Sequence, residues 1–132
     1  MRLRVYSDGG SRSNPGSAAI AFIAISDTGR VLKRHSECIG VRTNNQAEYE
    51  ALISALESAS TLTYDEVICH LDSKLVVEQL NGRYKVKDSE LRILWSKVQK
   101  LMEKFERVIF RHVPRTNSLI AAVDQMVNDA LD

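Results

Sequence analysis

The sequence predicts an α/β fold in which a mixed sheet carries helices on its faces. Three strand-like segments follow one another near the N-terminus with short turns between them, as in an antiparallel meander. Helical and strand-like segments then alternate, which predicts right-handed crossovers onto the same sheet. The full order is β-β-β-α-β-α-α-β-α. Because 132 residues suffice for one domain but not for two, we expect a single domain over residues 1–132.

The three N-terminal strands are predicted over residues 2–7, 17–26 and 31–40. In the first strand, Leu3 and Val5 alternate with polar side chains, and Asp8-Gly9-Gly10 then predicts a loop. The second strand is a run of small and β-branched residues. Asp27-Thr28-Gly29 predicts the hairpin turn that joins it to the third strand.

Four helices and two further strands are predicted in the rest of the chain. Apolar spacing predicts helices over residues 45–60, from Asp72-Ser73 to about Asn81-Gly82, from a cap at Asp88-Ser89, and over residues 119–131. The short apolar runs at residues 66–71 and 107–113 predict strands.

Composition sets wide limits on function. The net charge is +1, so the charge of the whole molecule neither predicts nor excludes a nucleic-acid partner. Cys38 and Cys69 lie in apolar segments without ligand spacing, which predicts buried, reduced thiols. No apolar run approaches the ~20 residues that cross a bilayer. The N-terminus leads directly into a strand with no visible signal peptide, so we expect a cytoplasmic protein. We also expect a monomer without a membrane partner.

Four carboxylates stand at positions that a solvated surface explains singly but not together. Asp8 and Asp72 each follow a predicted strand, and they would meet at a ligand-binding crevice if those strands were parallel neighbours. Glu48 and Asp124 lie on the apolar stripes of two predicted helices. Taken alone, Asp8 fits a turn, Asp72 an N-cap, and the other two the edge of a solvated face.

Brought together, four carboxylates would raise one another's pKa unless a cation were present. Carboxylate oxygens suit Mg²⁺ or Mn²⁺, and two such ions on one phosphate can hold an attacking water and a leaving oxygen. The sequence has no cysteine–histidine cluster for zinc, no phosphate-binding glycine loop and no G-x-S-x-G motif. The pattern therefore indicates metal-dependent chemistry on a phosphate ester.

Four motifs carry a family resemblance, and they occur in order along the chain. They read DGGSRSNPG from Asp8, TNNQAEYEAL from Thr43, LDSKLVVEQL from Leu71, and VPRTN followed by Asp124 and Asn128. With these motifs the sequence resembles the type 1 ribonuclease H family. Only NGRYKVKDSE stands where some members insert a basic protrusion, so the resemblance is to the form without it.

The resemblance implies a five-stranded mixed sheet in the order 3-2-1-4-5, with the first three strands antiparallel. It implies metal-dependent hydrolysis of the RNA strand of RNA–DNA hybrids, which leaves 5′-phosphate and 3′-hydroxyl ends. The cofactor would be Mg²⁺ or Mn²⁺, two ions per site when substrate is bound. By motif position, the catalytic metal ligands would be Asp8, Glu48, Asp72 and Asp124.

The resemblance also implies substrate contacts. Asn14, Asn44 and Asn45 match positions that face the minor groove of the hybrid, and amides can bond 2′-hydroxyls and base edges. Thr43 matches a position that contacts a DNA phosphate, and Gly9 and Gly10 allow close approach of the RNA. Local structure offers alternatives: the Asn14 segment is also an ordinary turn, and Thr43 or Asn44 can simply cap a helix.

The closing motif departs from the family pattern. Six residues separate Asn117 from Asp124, about a turn of helix more than the pattern expects, and Asp129 is an alternative fourth ligand. Arg115 stands nearest to the place of a loop histidine found in some relatives, where it would stabilise charge or aid product release; it is equally explained as a solvated loop residue. His112 lies within a predicted strand, which favours a structural role.

The leading prediction is thus a hybrid-specific ribonuclease H. Two alternatives stay open. One is a binding module on the same fold with weak or no catalysis, because of the irregular segment before Asp124. The other is a broader nuclease that also cleaves double-stranded RNA, since both duplexes are A-like and carry 2′-hydroxyls.

Overall fold

The computed structural model describes residues 1–132 and contains one five-stranded sheet flanked by four helices. The strand order is β3-β2-β1-β4-β5, which confirms the predicted mixed sheet. The strands are β1 (Arg2–Ser11), β2 (Gly16–Ser26), β3 (Val31–Arg42), β4 (Glu66–Leu71) and β5 (Arg107–His112). The helices are α1 (Asn44–Ala59), α2 (Lys74–Leu80), α3 (Ser89–Met102) and α4 (Ser118–Leu131).

The first strand is longer than its sequence predicts. Strand β1 was expected to end before Asp8-Gly9-Gly10, but these residues continue the strand opposite Ala21, Ile20 and Ala19 of β2. Two glycines do not end a strand when the neighbouring strand supplies a full ladder of hydrogen bonds. The parallel pairing of β1 with β4, in contrast, stops at Tyr6 and His70. Asp8 therefore lies just past the point where β1 and β4 separate.

The helices begin where their caps predict. Thr43 and Gln46 form a capping box at α1, so the helix-capping alternative for Thr43 is correct as a description of its local contacts. Ser73 caps α2, Asp88 caps α3 and Asn117 caps α4 through side-chain oxygens that accept backbone N–H bonds. Each predicted helix start lies within one or two residues of the observed one.

Two hydrophobic clusters lie on opposite faces of the sheet. The larger one has 19 buried residues, including Leu52 and Val98, and joins the sheet to α1, α2 and α3. The smaller one has 8, including Ile120 and Val127, and joins the sheet to α4. The candidate site described below includes Glu48 from α1 on one face of the sheet and Asp124 from α4 on the other. These two helices pack on hydrophobic clusters of different size.

The prediction for the cysteines is half wrong. Cys69 is buried in β4, but Cys38 is exposed on β3, where its Sγ donates to the Ala130 carbonyl at 3.0 Å. The apolar segment around Cys38 suggested burial, yet β3 is an edge strand and most of its side chains stay exposed. The chain contains no helix with the length and apolar character needed to traverse a lipid bilayer.

Candidate active site

Three carboxylates meet where β1 and β4 separate. Asp8 extends from β1, two residues beyond the last parallel pair, and Asp72 directly follows β4. Glu48 extends from the first turns of α1. One oxygen from each lies within 4.8 Å of the others. The topology thus brings together three residues that are 40 and 24 positions apart in the sequence.

Gly9 allows α1 to approach the sheet closely enough for this contact. A Cβ at position 9 would lie 2.1 Å from the Ala47 carbonyl oxygen, which no side chain can tolerate. In the space this leaves, the Gly9 N–H donates to Glu48 Oε1 at 2.7 Å. The glycine therefore serves the geometry of the carboxylates by its lack of a side chain, in addition to the access to RNA that the family resemblance implies.

The cluster is electrostatically strained without a cation. Asp8 and Glu48 are each only 7% exposed, and Glu48 Oε2 is buried with no hydrogen-bond partner. Burial raises the pKa of Asp8 well above its ordinary value, and contacts with Glu48, Asp72 and Asp124 raise it further. Burial likewise raises the pKa of Glu48, although the neighbouring Asp8 carboxyl and the hydrogen bond from the Gly9 N–H oppose the shift. An oxygen-rich, buried and partly unpartnered set fits a hard divalent cation.

Asp124 faces the same cavity from the opposite side. It is the seventh residue of α4, is exposed, and lies outside the group of three that share the 4.8 Å spacing. It nevertheless lines the same cavity of about 390 Å³ and contributes to the raised pKa of Asp8. Asp129 does not line this cavity; its Oδ1 accepts from Gln125 at 2.8 Å. The geometry therefore favours Asp124 over Asp129 as a partner for the cluster.

Two side chains, one from the last residue of β5 and one from the segment after it, contact Asp72. Arg115 Nε lies 3.5 Å from Asp72 Oδ2, and the Arg115 side chain is 92% exposed. Such an exposed guanidinium is free to change partners. His112 Nε2 lies 3.1 Å from the Asp72 backbone carbonyl, where it can donate a hydrogen bond. His112 therefore supports the backbone at the end of β4, in line with a structural role.

The predicted minor-groove residues form a connected group at the start of α1. Asn44 Oδ1 accepts from both the N–H and the hydroxyl of Ser11, at 2.9 and 3.0 Å. Asn14 Oδ1 accepts from the Asn44 N–H at 3.0 Å. The oxygens of these amides are thus engaged within the protein, and their NH₂ groups remain as donors. Asn45 lines the carboxylate cavity and, with Thr43 and Asn14, a smaller cavity beside it.

Several residues that line the carboxylate cavity were not singled out from the sequence. They are Ser11, Arg12, Ser73 and, one helical turn after Asp124, Asn128. Ser11 and Arg12 lie inside the first family motif, at positions that the motif leaves variable. Asn128 belongs to the fourth motif, which predicts no contact for it at the site. Its Nδ2 lies 3.2 Å from the Asp124 carbonyl and 3.5 Å from Asp124 Oδ2, which the i, i+4 spacing allowed but did not require.

The fold and the acidic cluster together define an α/β protein of the ribonuclease H-like class. A family described as "Reverse transcriptase-like" matches residues 6–130. Ribonuclease HI of Halobacterium salinarum is 40% identical over 131 residues, which is 99% of this chain and 65% of that protein. The crystal structure of RNase H1 from the same archaeon superimposes with a TM-score of 0.95 at 39% identity, covering 100% of this chain and 98% of the other. The chain belongs to the type 1 ribonuclease H family.

Two further similarities extend this picture. LC11-RNase H1, whose structure was determined in complex with an RNA/DNA hybrid, has a TM-score of 0.92 at 39% identity, covering 98% of this chain and 96% of that one. The bifunctional protein Rv2228c of Mycobacterium tuberculosis is 42% identical over 133 residues. This chain spans 36% of the length of Rv2228c and 65% of that of the Halobacterium protein.

Proposed function

We propose that this chain is an endoribonuclease that hydrolyses the RNA strand of RNA–DNA hybrids with the help of divalent metal ions. The observation that carries the proposal is the group formed by Asp8, Glu48 and Asp72, with oxygens within 4.8 Å of one another, at the end of adjacent parallel strands. Membership of the ribonuclease H family and the similarity to a relative solved with an RNA/DNA hybrid support the choice of substrate.

Four residues would hold the metal in this proposal. Asp8 and Glu48 would supply buried oxygens, the half-buried Asp72 would supply a third, and Asp124 would close the site from α4. Mg²⁺ or Mn²⁺, two ions when substrate is bound, would activate the attacking water and stabilise the departing 3′-oxygen, leaving 5′-phosphate and 3′-hydroxyl ends. In this proposal water would be the nucleophile, and no covalent enzyme intermediate would form.

The remaining residues would bind and orient the duplex. The free NH₂ groups of Asn14 and Asn44, with Asn45, would donate to the minor groove, where 2′-hydroxyls distinguish RNA from DNA. Thr43 would contact a phosphate of the DNA strand beside the smaller cavity that it lines. Gly10 borders the cavity with no side chain to keep the RNA away. Arg115 would release Asp72 and stabilise charge near the scissile phosphate.

A single assay tests the proposal. One end-labelled sequence is presented as RNA–DNA hybrid, double-stranded RNA, double-stranded DNA and single-stranded RNA, with Mg²⁺, Mn²⁺ or EDTA. We expect cleavage only in the RNA strand of the hybrid, only with a divalent ion, and not by Asp8→Asn. Control reactions with Asp27→Asn, a substitution in the hairpin turn between β2 and β3, should match the wild type.

The same assay separates the alternatives. Hybrid binding without metal-dependent turnover would identify a binding module and refute the enzyme proposal. Cleavage of double-stranded RNA at a comparable rate would identify the broader nuclease. Full activity of Asp8→Asn would overturn the site assignment itself, because that change preserves the side chain's shape and removes its charge.

A further inference from the structure

Arg12 is a charged residue at the rim of the carboxylate cavity that the proposed function leaves unused. It follows directly after the last residue of β1, four positions beyond Asp8, and opens the β1–β2 connection. Its backbone is held by a hydrogen bond from its N–H to the Ser17 carbonyl at 2.9 Å. Arg12 and Arg115 are the two cations that line this cavity, against the carboxylates of Asp8, Glu48, Asp72 and Asp124.

The guanidinium of Arg12 is hydrogen-bonded to the C-terminal end of α4. Its Nη2 donates to Asp132 Oδ1 at 2.6 Å and to the Asn128 carbonyl at 3.3 Å. The second contact lies where the helix dipole places partial negative charge, which favours a cation. The first is an ion pair whose side chains are 47% and 66% exposed, and exposed pairs of this kind are weak.

A polyanion that enters an acidic cavity needs cations at its edge. A guanidinium binds phosphate through two parallel hydrogen bonds, a geometry that the single contact with Asp132 does not use. We infer that Arg12 binds a non-scissile backbone phosphate of the bound strand, and that Asp132 competes with this phosphate for Arg12. The inference rests on the proposed function, since it names a further contact to the same nucleic acid.

This arrangement predicts changes of opposite sign for the two partners. Arg12→Gln removes a phosphate contact, so hybrid binding should weaken about fivefold, and the slope of log K against log salt should fall by about one. Asp132→Asn frees Arg12, while the Asn128 carbonyl still holds the guanidinium near the cavity. Binding should then strengthen about two- to threefold, within the range expected of a weak surface ion pair.

Asp129→Asn is the matched control. Asp129 lies in the last turn of α4, three residues before Asp132, is exposed, carries the same charge and bonds Gln125 instead of Arg12. A general reduction of repulsion toward the nucleic acid would affect Asp129→Asn and Asp132→Asn alike. A competition for Arg12 would affect only the latter, and would disappear when Arg12 is also replaced.

The experiment measures the anisotropy of a fluorescein-labelled RNA–DNA hybrid with Mg²⁺ present, in an Asp8→Asn background that leaves the hybrid intact. Circular dichroism confirms that each variant is folded. The expected result is weaker binding by Arg12→Gln, tighter binding by Asp132→Asn, and no effect of Asp132→Asn in the Arg12→Gln protein. Equal effects of the two aspartate changes, or an Asp132 effect that persists without Arg12, would overturn the inference.

Failure of the inference is distinguishable from failure of the proposed function. If the unmodified protein neither binds nor cleaves the hybrid, the proposed function itself is wrong. If the unmodified protein cleaves the hybrid while Arg12→Gln binds it with unchanged affinity and salt slope, only the role of Arg12 is wrong.

Discussion

The two sides of the carboxylate cavity are built differently. Asp8, Glu48 and Asp72 come from β1, α1 and the end of β4, which pack around the 19-residue cluster. Asp124 comes from α4, which packs on a cluster of 8 residues and leaves the carboxylate exposed. The first side is fixed by a large core, and burial there raises the pKa values of Asp8 and Glu48. The second side is held by one helix and is open to solvent.

This difference indicates that the site combines a rigid part with an adjustable part. Three carboxylates whose oxygens lie within 4.8 Å of one another repel when they are ionised, and a cation between them can relieve that repulsion. An exposed carboxylate on a helix can move with its helix and is screened by water. Substitutions on the two sides should therefore differ both in activity and in stability.

The largest effect is expected on the rigid side. Asp8→Asn should lower the cleavage rate by at least ~10³-fold, because in the proposed function Asp8 is a central metal ligand whose loss would remove several kcal/mol of transition-state stabilisation. The protein should stay folded, since asparagine keeps the shape of the side chain and removes a buried ionisable group. Single-turnover cleavage of the hybrid with Mg²⁺ measures this, and a residual rate within tenfold of the wild type would show that Asp8 is not central.

The close approach of α1 to β1 gives the next largest effect. Gly9→Ala should lower the free energy of unfolding by about 3 kcal/mol, because its Cβ would overlap the Ala47 carbonyl and force the helix away from the strand. Gly10→Ala is the control: its Cβ would meet nothing closer than Val127 at 3.8 Å. Urea denaturation of both variants tests this, and equal stability would contradict the packing described for Gly9.

The role of Gly9 also shows where sequence-based prediction of the fold succeeded and where it did not. Caps at Thr43, Ser73 and Asp88 marked the helix starts because capping is a local interaction. The extension of β1 through Gly10 was missed because it depends on pairing with β2, which is not local. The exposure of Cys38 was missed for a related reason, since burial on a strand depends on its place in the sheet.

The sequence predicts the carboxylates of the candidate site, but it does not predict the contacts that support them. Glu48 stood out because a carboxylate on an apolar stripe contradicts the pattern of its helix. The supporting residues show no such contradiction. Arg12 lies in a loop, Asn128 on a helix surface and His112 at a strand end, and polar residues are ordinary in all three places. Such contacts follow only from the three-dimensional arrangement of α4 and β5 around the cavity.

A smaller loss of activity is expected on the adjustable side. Asp124→Asn should lower the cleavage rate about 30-fold, which is about 2 kcal/mol and less than the loss at Asp8. Its free energy of unfolding should change by no more than about 0.5 kcal/mol, because the side chain is exposed. Asp129→Asn serves as the control and should cleave normally. If Asp129→Asn lost activity and Asp124→Asn kept it, the fourth carboxylate would be Asp129.

The free energy of unfolding of the metal-free protein should depend on pH because of Asp8 and Glu48, on the rigid side of the cavity. The pKa values of Asp8 and Glu48 are raised in the folded state, so the folded protein holds these protons more tightly than the unfolded chain. The stabilisation of the fold by these protonated carboxyls is therefore complete at acidic pH, and it is lost as pH rises through their raised pKa values. We expect the free energy of unfolding of Asp8→Asn to exceed that of the wild type by about 1–2 kcal/mol at pH 8 in EDTA, and by less at pH 5. Urea denaturation at both pH values tests this; an equal difference at the two values would contradict it.

The smallest effect concerns the amide that holds the adjustable carboxylate. Asn128 Nδ2 lies 3.5 Å from Asp124 Oδ2, a long contact between two residues on one helix. Asn128→Ala should therefore lower the cleavage rate only about threefold, near the ~0.5 kcal/mol of a weak i, i+4 pair. The effect should shrink as Mg²⁺ is raised, because a bound cation would itself orient Asp124.

Gln125→Ala is the matched control, since Gln125 also bonds a residue four positions on, Asp129, but does not line the cavity. Cleavage rates of both variants across a Mg²⁺ titration separate the outcomes. A loss in Asn128→Ala as large as in Asp124→Asn would mean that Asn128 itself contacts metal or substrate. No loss at any Mg²⁺ concentration would mean that the helix alone sets the position of Asp124, and the second side of the cavity would then be less adjustable than its exposure indicates.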